Sequence, residues 1–124
     1  MFFLKWLKEA ELSLSEPSKR AMIGRLENQA ELLERHVDVL NAVIEDEPIG
    51  IMALANRTGI APHRIRYSRR KLEEELIIEP SDKGAKLTTE SSDILSGQDA
   101  RLDTIIEILE GLQPIIREFS RVQS

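Results

Sequence analysis

A cluster of positive charge between Arg57 and Lys71 is the feature of this sequence that could perform chemistry. The stretch contains five arginines and one lysine but no acidic residue, although the whole chain carries a formal net charge of −5. Guanidinium groups form paired hydrogen bonds with guanine edges and with phosphate oxygens, so a local basic cluster can attract a polyanion even on an acidic protein. The cluster therefore predicts a nucleic-acid contact surface.

The residues after Ala61 have the periodicity of an amphipathic helix. At about 100° per residue, Ile65, Leu72 and Leu76 fall on one side, which can face a core. The opposite side is polar and basic, and it could enter a major groove or clamp phosphates. We expect DNA contacts from this side and from two lysines in and after the following turn, namely His63, Arg64, Arg66, Tyr67, Arg70, Lys71, Lys83 and Lys86.

Several of these residues allow a second interpretation. The arginines could form a solvated helix surface, and Lys83 and Lys86 could serve solubility alone. Tyr67 could stack on a DNA sugar or bury its ring with the hydroxyl hydrogen-bonded, and we prefer packing in the core. His63 is expected to contact DNA from the surface. His36 is expected on one face of a helix and without a metal, because no second ligand lies near it in the sequence.

The elements that must position the basic helix follow from periodicity. Apolar residues at alternating steps of three and four predict helix from Ser18 to the acidic stretch before Pro48, as one helix or as two joined near Glu34. A shorter apolar helix and a turn at Thr58-Gly59 precede the basic helix. The stripe of the first helix comprises Met22, Leu26, Ala30, Leu33, Val37, Leu40 and Ile44.

A hairpin and a last helix are predicted after the basic helix. The stretches "LIIEP" and "KLTT" flank the turn "SDKGA", as expected for two short strands. After the polar connection "ESSDILSGQD" comes an apolar helix, which Gly111 and Pro114 should kink or split. A compact domain made of the preceding helices and the hairpin does not need its stripe, so we assign the stripe to a dimer interface that comprises Leu102, Ile105, Leu109, Leu112, Ile116 and Phe119.

Helix, helix, turn, helix and hairpin in this order predict a mainly α (α+β) fold. We expect a winged helix-turn-helix with a two-stranded wing and flanking N- and C-terminal dimerisation helices. The chain should divide into an amphipathic N-terminal segment at 1–17, an N-terminal helix at 18–34 that extends into the domain, the winged domain at 35–90, and the C-terminal dimerisation helix at 91–124. The aromatic residues of the first segment should dock on this protein or its twin, with a membrane surface as the alternative.

The stretch "HRIRYSRRKLEEELIIEPSDKGAKLT", with "IGIMALANRTGIAP" before it, resembles a family of small archaeal winged helix-turn-helix proteins that are predicted transcriptional regulators. The resemblance is good from Arg35 to Thr89. It implies a dimeric, cytoplasmic DNA-binding regulator whose third helix reads DNA. Two positions depart from the family pattern. Leu76 replaces the usual glycine before the wing strand, so we expect the helix to run on or close differently. Arg69 lies at the edge of the inward side, where it could serve DNA or pair with a carboxylate.

Neither an enzyme nor a cofactor or metal site is expected. The carboxylates occur in runs typical of helix surfaces, no nucleophile pairs with a base, and no glycine-rich phosphate loop is present. The chain has no cysteine, and no stretch is long and apolar enough to span a bilayer. We expect a sequence-specific regulator that binds double-stranded DNA as a homodimer, with no effector identified. The alternative is a winged-helix adaptor whose arginines pair with an acidic protein.

Overall fold

The computed structural model describes residues 21–123, and the amphipathic segment predicted at 1–17 lies outside them. Within residues 21–123, four helices and one two-stranded antiparallel sheet follow in the order α1 (Met22–Asp46), α2 (Ile51–Thr58), α3 (Pro62–Glu74), β1 (Ile78–Ser81), β2 (Gly84–Leu87) and α4 (Ser91–Gln123). This order confirms the predicted mainly α, winged helix-turn-helix fold. The residues of the buried hydrophobic cluster lie between Val39 and Ala85.

The first helix is uninterrupted but buries a different side from the one predicted. α1 runs for 25 residues without a break, so it is one helix over the described residues. Leu33, Val37 and Ile44 of the predicted stripe are half-exposed. The helix carries two apolar stripes that share Leu40, and the packing of α2 and α3 selects the second one. Its buried residues are His36, Val39, Leu40, Ala42 and Val43.

The helix-turn-helix is formed by α2 and α3. α2 ends at Thr58 and is capped by Gly59, whose φ of 75° is left-handed and whose backbone N–H donates to the carbonyl oxygen of Ala55 at 2.9 Å. Glycine adopts this conformation without steric cost, which ends the helix sharply. Pro62 then starts α3 at a position where its missing N–H removes no helical hydrogen bond. Leu54 of α2 and Ile65 of α3 are fully buried, which fixes both helices on the core.

Helix α3 closes at a leucine in the left-handed conformation. Leu76 has a φ of 62°. Its N–H donates to the carbonyl oxygen of Glu73 at 3.0 Å, and the N–H of Ile77 donates to that of Leu72 at 3.0 Å. These two hydrogen bonds define a Schellman motif. The expectation that the helix would run on or close differently is therefore wrong, and the Leu76 side chain is exposed rather than on the buried side predicted for it.

Replacement of this leucine should stabilise the protein. Leu76→Gly should raise the free energy of unfolding by about 1 kcal/mol, because the left-handed conformation strains a residue with a Cβ and glycine's extra unfolded-state entropy offsets only part of the relief. The exposed leucine side chain contributes little packing. Leu76→Ala keeps the Cβ and should give no gain. Urea unfolding measures both variants; equal stability of glycine and alanine at this position would show that no strain is stored there.

The wing is attached to the loop between α1 and α2. In the antiparallel register Ser81 lies opposite Gly84, which leaves a two-residue turn at the tip. The Ser81 hydroxyl donates to the carbonyl oxygen of Gly84 at 2.6 Å. Ile49 pairs with Ala85 through two backbone hydrogen bonds of 3.0 and 2.8 Å. The hairpin is therefore held on one edge by backbone hydrogen bonds to Ile49.

The last helix is unbroken and includes the polar connection that was expected to precede its apolar part. α4 starts at Ser91 and continues as one helix through Gly111 and Pro114. The polar connection is therefore its first part, and the predicted split does not occur, because a proline removes one backbone donor while the neighbouring turns keep theirs. Ile94 and Leu95 pack against the core and attach the helix to the winged domain. None of the helices described here has the length and hydropathy needed to cross a membrane.

Candidate nucleic-acid interface

The basic side of α3 faces away from the core. Ile65, Ser68 and Leu72 are its buried residues, and the residues on the opposite side are exposed. At 3.6 residues per turn, the predicted contacts on this helix fall within one arc of about 160°. In order around the helix, the residues of this arc are Arg66, Arg70, His63, Tyr67, Lys71 and Arg64. We call this arc the exposed side of α3.

Some residues of the basic cluster form ion pairs within the protein and do not belong to the exposed side of α3. Arg57 of α2 forms ion pairs with Glu45 and Asp46 near the end of α1. The Arg69 Nε lies 3.3 Å from a Glu73 oxygen, so of the two alternatives for Arg69 the structure shows the carboxylate partner. Charge that is contiguous in the sequence is therefore divided between different surfaces of the molecule.

The arginines on the exposed side of α3 keep uncompensated charge. Arg64, Arg66 and Arg70 form no side-chain ion pair or hydrogen bond with any residue in the described part of the chain. The Lys71 Nζ lies 3.8 Å from Glu75 in an exposed pair one turn apart. Such a pair contributes about 0.3–0.5 kcal/mol and can exchange for another anion. Three guanidinium groups thus remain available to an anionic partner.

The two wing lysines lie in different surroundings. Lys83 is exposed in the two-residue turn, and it has no ion-pair partner among residues 21–123. The Lys86 Nζ lies 3.5 Å from Glu79, the residue opposite it in the hairpin register. Of the two predicted wing contacts, Lys83 therefore has the charge that is less compensated by the protein itself.

A buried polar contact between α1 and α3 was missed by the sequence analysis. His36 is only 9% exposed, and its Nδ1 lies 2.7 Å from the Oγ of the fully buried Ser68. The sequence analysis placed His36 on a helix face but did not predict that this face is buried. The spacing of His36 with Val39 and Val43 was the available signal, because it places the histidine on the same side of α1 as these apolar residues. Serine in a helix carries no comparable signal.

Tyr67 lies at the border between the core and the exposed side of α3. Its side chain is 48% exposed, and its ring centroid lies 5.7 Å from that of His36 at an interplanar angle of 30°. The preferred interpretation of core packing is wrong, because Tyr67 lies about 160° around the helix from the buried Ile65. One part of the ring is supported by His36, and the rest is accessible to a ligand.

Protonation of His36 should destabilise the fold. Burial lowers the pKa of His36 below 6.5, the charges of Arg35 and Lys71 lower it further, and Glu75 acts in the opposite direction. The folded state therefore binds this proton less readily than the unfolded state. The stabilisation is fully present above about pH 6.5 and is lost as the pH falls below it. Unfolding measured from about pH 7.5 downwards should show a shallower pH slope for His36→Gln; parallel slopes would contradict this assignment.

Comparisons with known proteins provide no family assignment. No protein-family model matches the chain, and no curated protein matches its sequence. The solved structure of the transcriptional regulator BldR from Sulfolobus solfataricus is 21% identical, with 91% of this chain and 94% of that chain covered and a TM-score of 0.46. RV1404 from Mycobacterium tuberculosis is 19% identical, with coverages of 96% and 90% and a TM-score of 0.40. Similarity at this level assigns no function, so the resemblance to archaeal regulators stays a prediction.

Proposed function

We propose that the protein is a transcriptional regulator that binds double-stranded DNA, with α3 in the major groove and the wing on the backbone or in the minor groove. The observation that carries this proposal is the set of unpaired arginines on the exposed side of α3, namely Arg64, Arg66 and Arg70. Their guanidinium groups can fork onto guanine O6 and N7 or onto phosphate oxygens. The helix-turn-helix holds the opposite side of α3 in the core, so these groups point outward together.

The acidic end of α3 limits where DNA contact can occur. Glu73 and Glu75 pair with basic residues of the same helix, and Glu75 also accepts a hydrogen bond of 2.8 Å from Gln98 of α4. Glu74 is exposed and would repel a nearby phosphate. Productive contacts should therefore concentrate between residues 63 and 70. This distribution favours insertion of the N-terminal part of α3, as in other helix-turn-helix proteins.

Substitutions on α3 and on the wing should affect binding differently. Arg70→Ala should cost about 1–3 kcal/mol of specific binding and relax the preference at one base position. Lys83→Ala should instead weaken binding to all sequences alike. It should also reduce the salt slope, which is the steepness with which log affinity falls with log salt concentration, by about one. Fluorescence anisotropy with a preferred duplex and a scrambled duplex, across a salt series, separates the two effects. If both variants show the same small loss of affinity for the two duplexes, the placement of α3 is wrong.

Selection of bound duplexes from a random library tests the function directly. We expect one enriched sequence, and affinity for it should fall steeply with salt concentration. The alternative function is a protein adaptor in which the arginines pair with an acidic partner. No enrichment, together with stoichiometric binding to an acidic protein, would favour that alternative.

The apolar surface of α4 supports the further proposal that the protein is a homodimer. The ten large hydrophobic side chains from Leu102 to Val122 are all exposed, by 38% at Leu109 and up to 72% at Val122. They span roughly 200° around the helix, whereas an apolar stripe of about 100° is enough for one packed surface. Monomeric proteins rarely expose so much contiguous apolar surface. The predicted interface residues all lie within this apolar surface, and Ile106, Ile108, Ile115 and Val122 extend it.

Helix α1 contributes to the same apolar surface. Ile23 and Leu26 line a groove together with Leu109, Leu112 and Ile116 of α4. We propose that α4 of a second copy inserts into this groove, so that each copy covers the other. A two-fold arrangement of this kind could place the two α3 helices about 34 Å apart, the spacing of successive major grooves. The selected DNA site should then be palindromic.

A further inference from the structure

A shallow cleft separates the middle of α1 from the first turns of α3. Leu32 and Arg35 line it from α1, and His63, Arg64 and Tyr67 line it from α3. Two guanidinium groups and an imidazole thus border one space, and no carboxylate is among these lining residues. The two guanidinium groups repel each other across this space, and an anion between them would offset that repulsion. The cleft therefore has the composition of an anion site.

Arg35 is placed to act as a donor in this cleft. Its side chain is partly buried and forms no ion pair or hydrogen bond with another residue between 21 and 123. The next residue, His36, is anchored to Ser68 of α3, so this part of α1 is held against α3. A partly buried, unpaired charge costs solvation free energy, which an anionic ligand would offset.

The position of the cleft points to one kind of anion. Three of its lining residues, His63, Arg64 and Tyr67, also belong to the exposed side of α3. A ligand that covers the exposed side of α3 therefore reaches the cleft as well. The major groove is about 12 Å wide and is flanked by the two sugar–phosphate backbones. A helix inserted there has a row of phosphates beside it.

We propose that the cleft binds one backbone phosphate of the DNA and that Arg35 is a DNA-contact residue outside both α3 and the wing. This inference rests on the proposed function. Arg35 and Arg64 donate N–H groups to the phosphate oxygens from the two helices, and Tyr67 packs beside the adjoining sugar. A phosphate contact carries no base information, so its role is to fix the register of α3 in the groove.

Charge removal at this position tests the proposal. Arg35→Gln should lower the affinity for a preferred and a scrambled duplex by the same factor, about tenfold, and should reduce the salt slope by about one. Arg35→Lys keeps the charge and should restore the slope. Arg25→Gln removes the same charge from an exposed position earlier on α1 and should leave the slope unchanged. Circular dichroism melting curves establish that all three variants are folded.

The possible outcomes separate this proposal from the proposed function. If the wild type binds duplex DNA with a steep salt dependence and Arg35→Gln leaves the slope unchanged, the cleft proposal is overturned and the proposed function stands. If the wild type binds no duplex, both fail. Inorganic phosphate is the third probe, followed through the backbone amide resonances of His63 and Arg64. Saturation of these resonances by phosphate while duplex binding is unchanged would assign the cleft to a free anion and overturn the proposal.

Discussion

Gly84→Ala should lower the free energy of unfolding by about 3 kcal/mol or more, a large part of the stability of a small domain. Gly84 has a φ of 124°, a conformation that L residues with a Cβ rarely adopt. A Cβ at this position would lie 2.6 Å from the backbone nitrogen of Gly50 and closer still to the carbonyl group of Ile49. Both obstacles are backbone, so no side-chain rotation can relieve the clash.

The loss should appear at the attachment of the wing. Ile49 pairs with Ala85 through backbone hydrogen bonds, and displacement of either segment breaks this pairing and opens the core beneath it. Gly97→Ala is the matched control, because Gly97 lies in α4 with nothing within 4 Å of a Cβ, and it should gain about 0.5–1 kcal/mol. Urea unfolding followed by circular dichroism compares the two variants. A Gly84→Ala protein as stable as the wild type would show that Ile49 does not approach the wing so closely.

Leu109→Asp should convert the proposed dimer to monomer. Leu109 is the least exposed of the apolar residues between Leu102 and Val122, and it lines the groove between α1 and α4. An aspartate in the proposed interface would bury an unpaired charge, at a cost on the order of 3 kcal/mol or more. That cost corresponds to an increase of at least about 100-fold in the dissociation constant of the dimer. Sedimentation at micromolar concentration measures the change.

DNA binding and folding should respond differently to this substitution. Tight DNA binding should be lost, because a monomer contacts only one half of a palindromic site. The winged domain should stay folded, because Leu109 is not among its buried core residues. Ala100→Asp places the same charge on an exposed position of α4 that lies about 140° from the centre of the apolar arc. It should leave the dimer intact. If Leu109→Asp stays dimeric, or the wild type is itself monomeric, α4 is only a cover for its own domain.

The order and type of the elements followed from local chemistry. Gly59 ends α2 and Pro62 begins α3 because their backbone preferences depend little on the rest of the chain. The hairpin was likewise readable from a turn between two short strand-like stretches. At Leu76 the tertiary structure overrides the local conformational preference. Leucine disfavours the left-handed conformation, yet burial of its neighbours Leu72 and Ile77 and the two closing hydrogen bonds enforce it.

The candidate site was only partly readable from the sequence. Periodicity placed Arg64, Arg66 and Arg70 together, because helix geometry alone determines which residues share a side. It left two partners open for Arg69, whose pair with Glu73 lies within one helix. It could not show that Arg57 pairs with Glu45 and Asp46, because that pairing depends on how α2 packs against the end of α1. The contacts of these residues with DNA stay predictions.

The sequence by itself determined the order of the helices and the hairpin and the apolar character of α4, because each depends on the spacing of residues within one element. Only the tertiary structure decided which of two apolar stripes of α1 enters the core and that His36 meets Ser68, a residue 32 positions away. Periodicity reports which residues avoid water. Burial depends on which other element lies opposite them, and that choice is made by the packing of the whole domain.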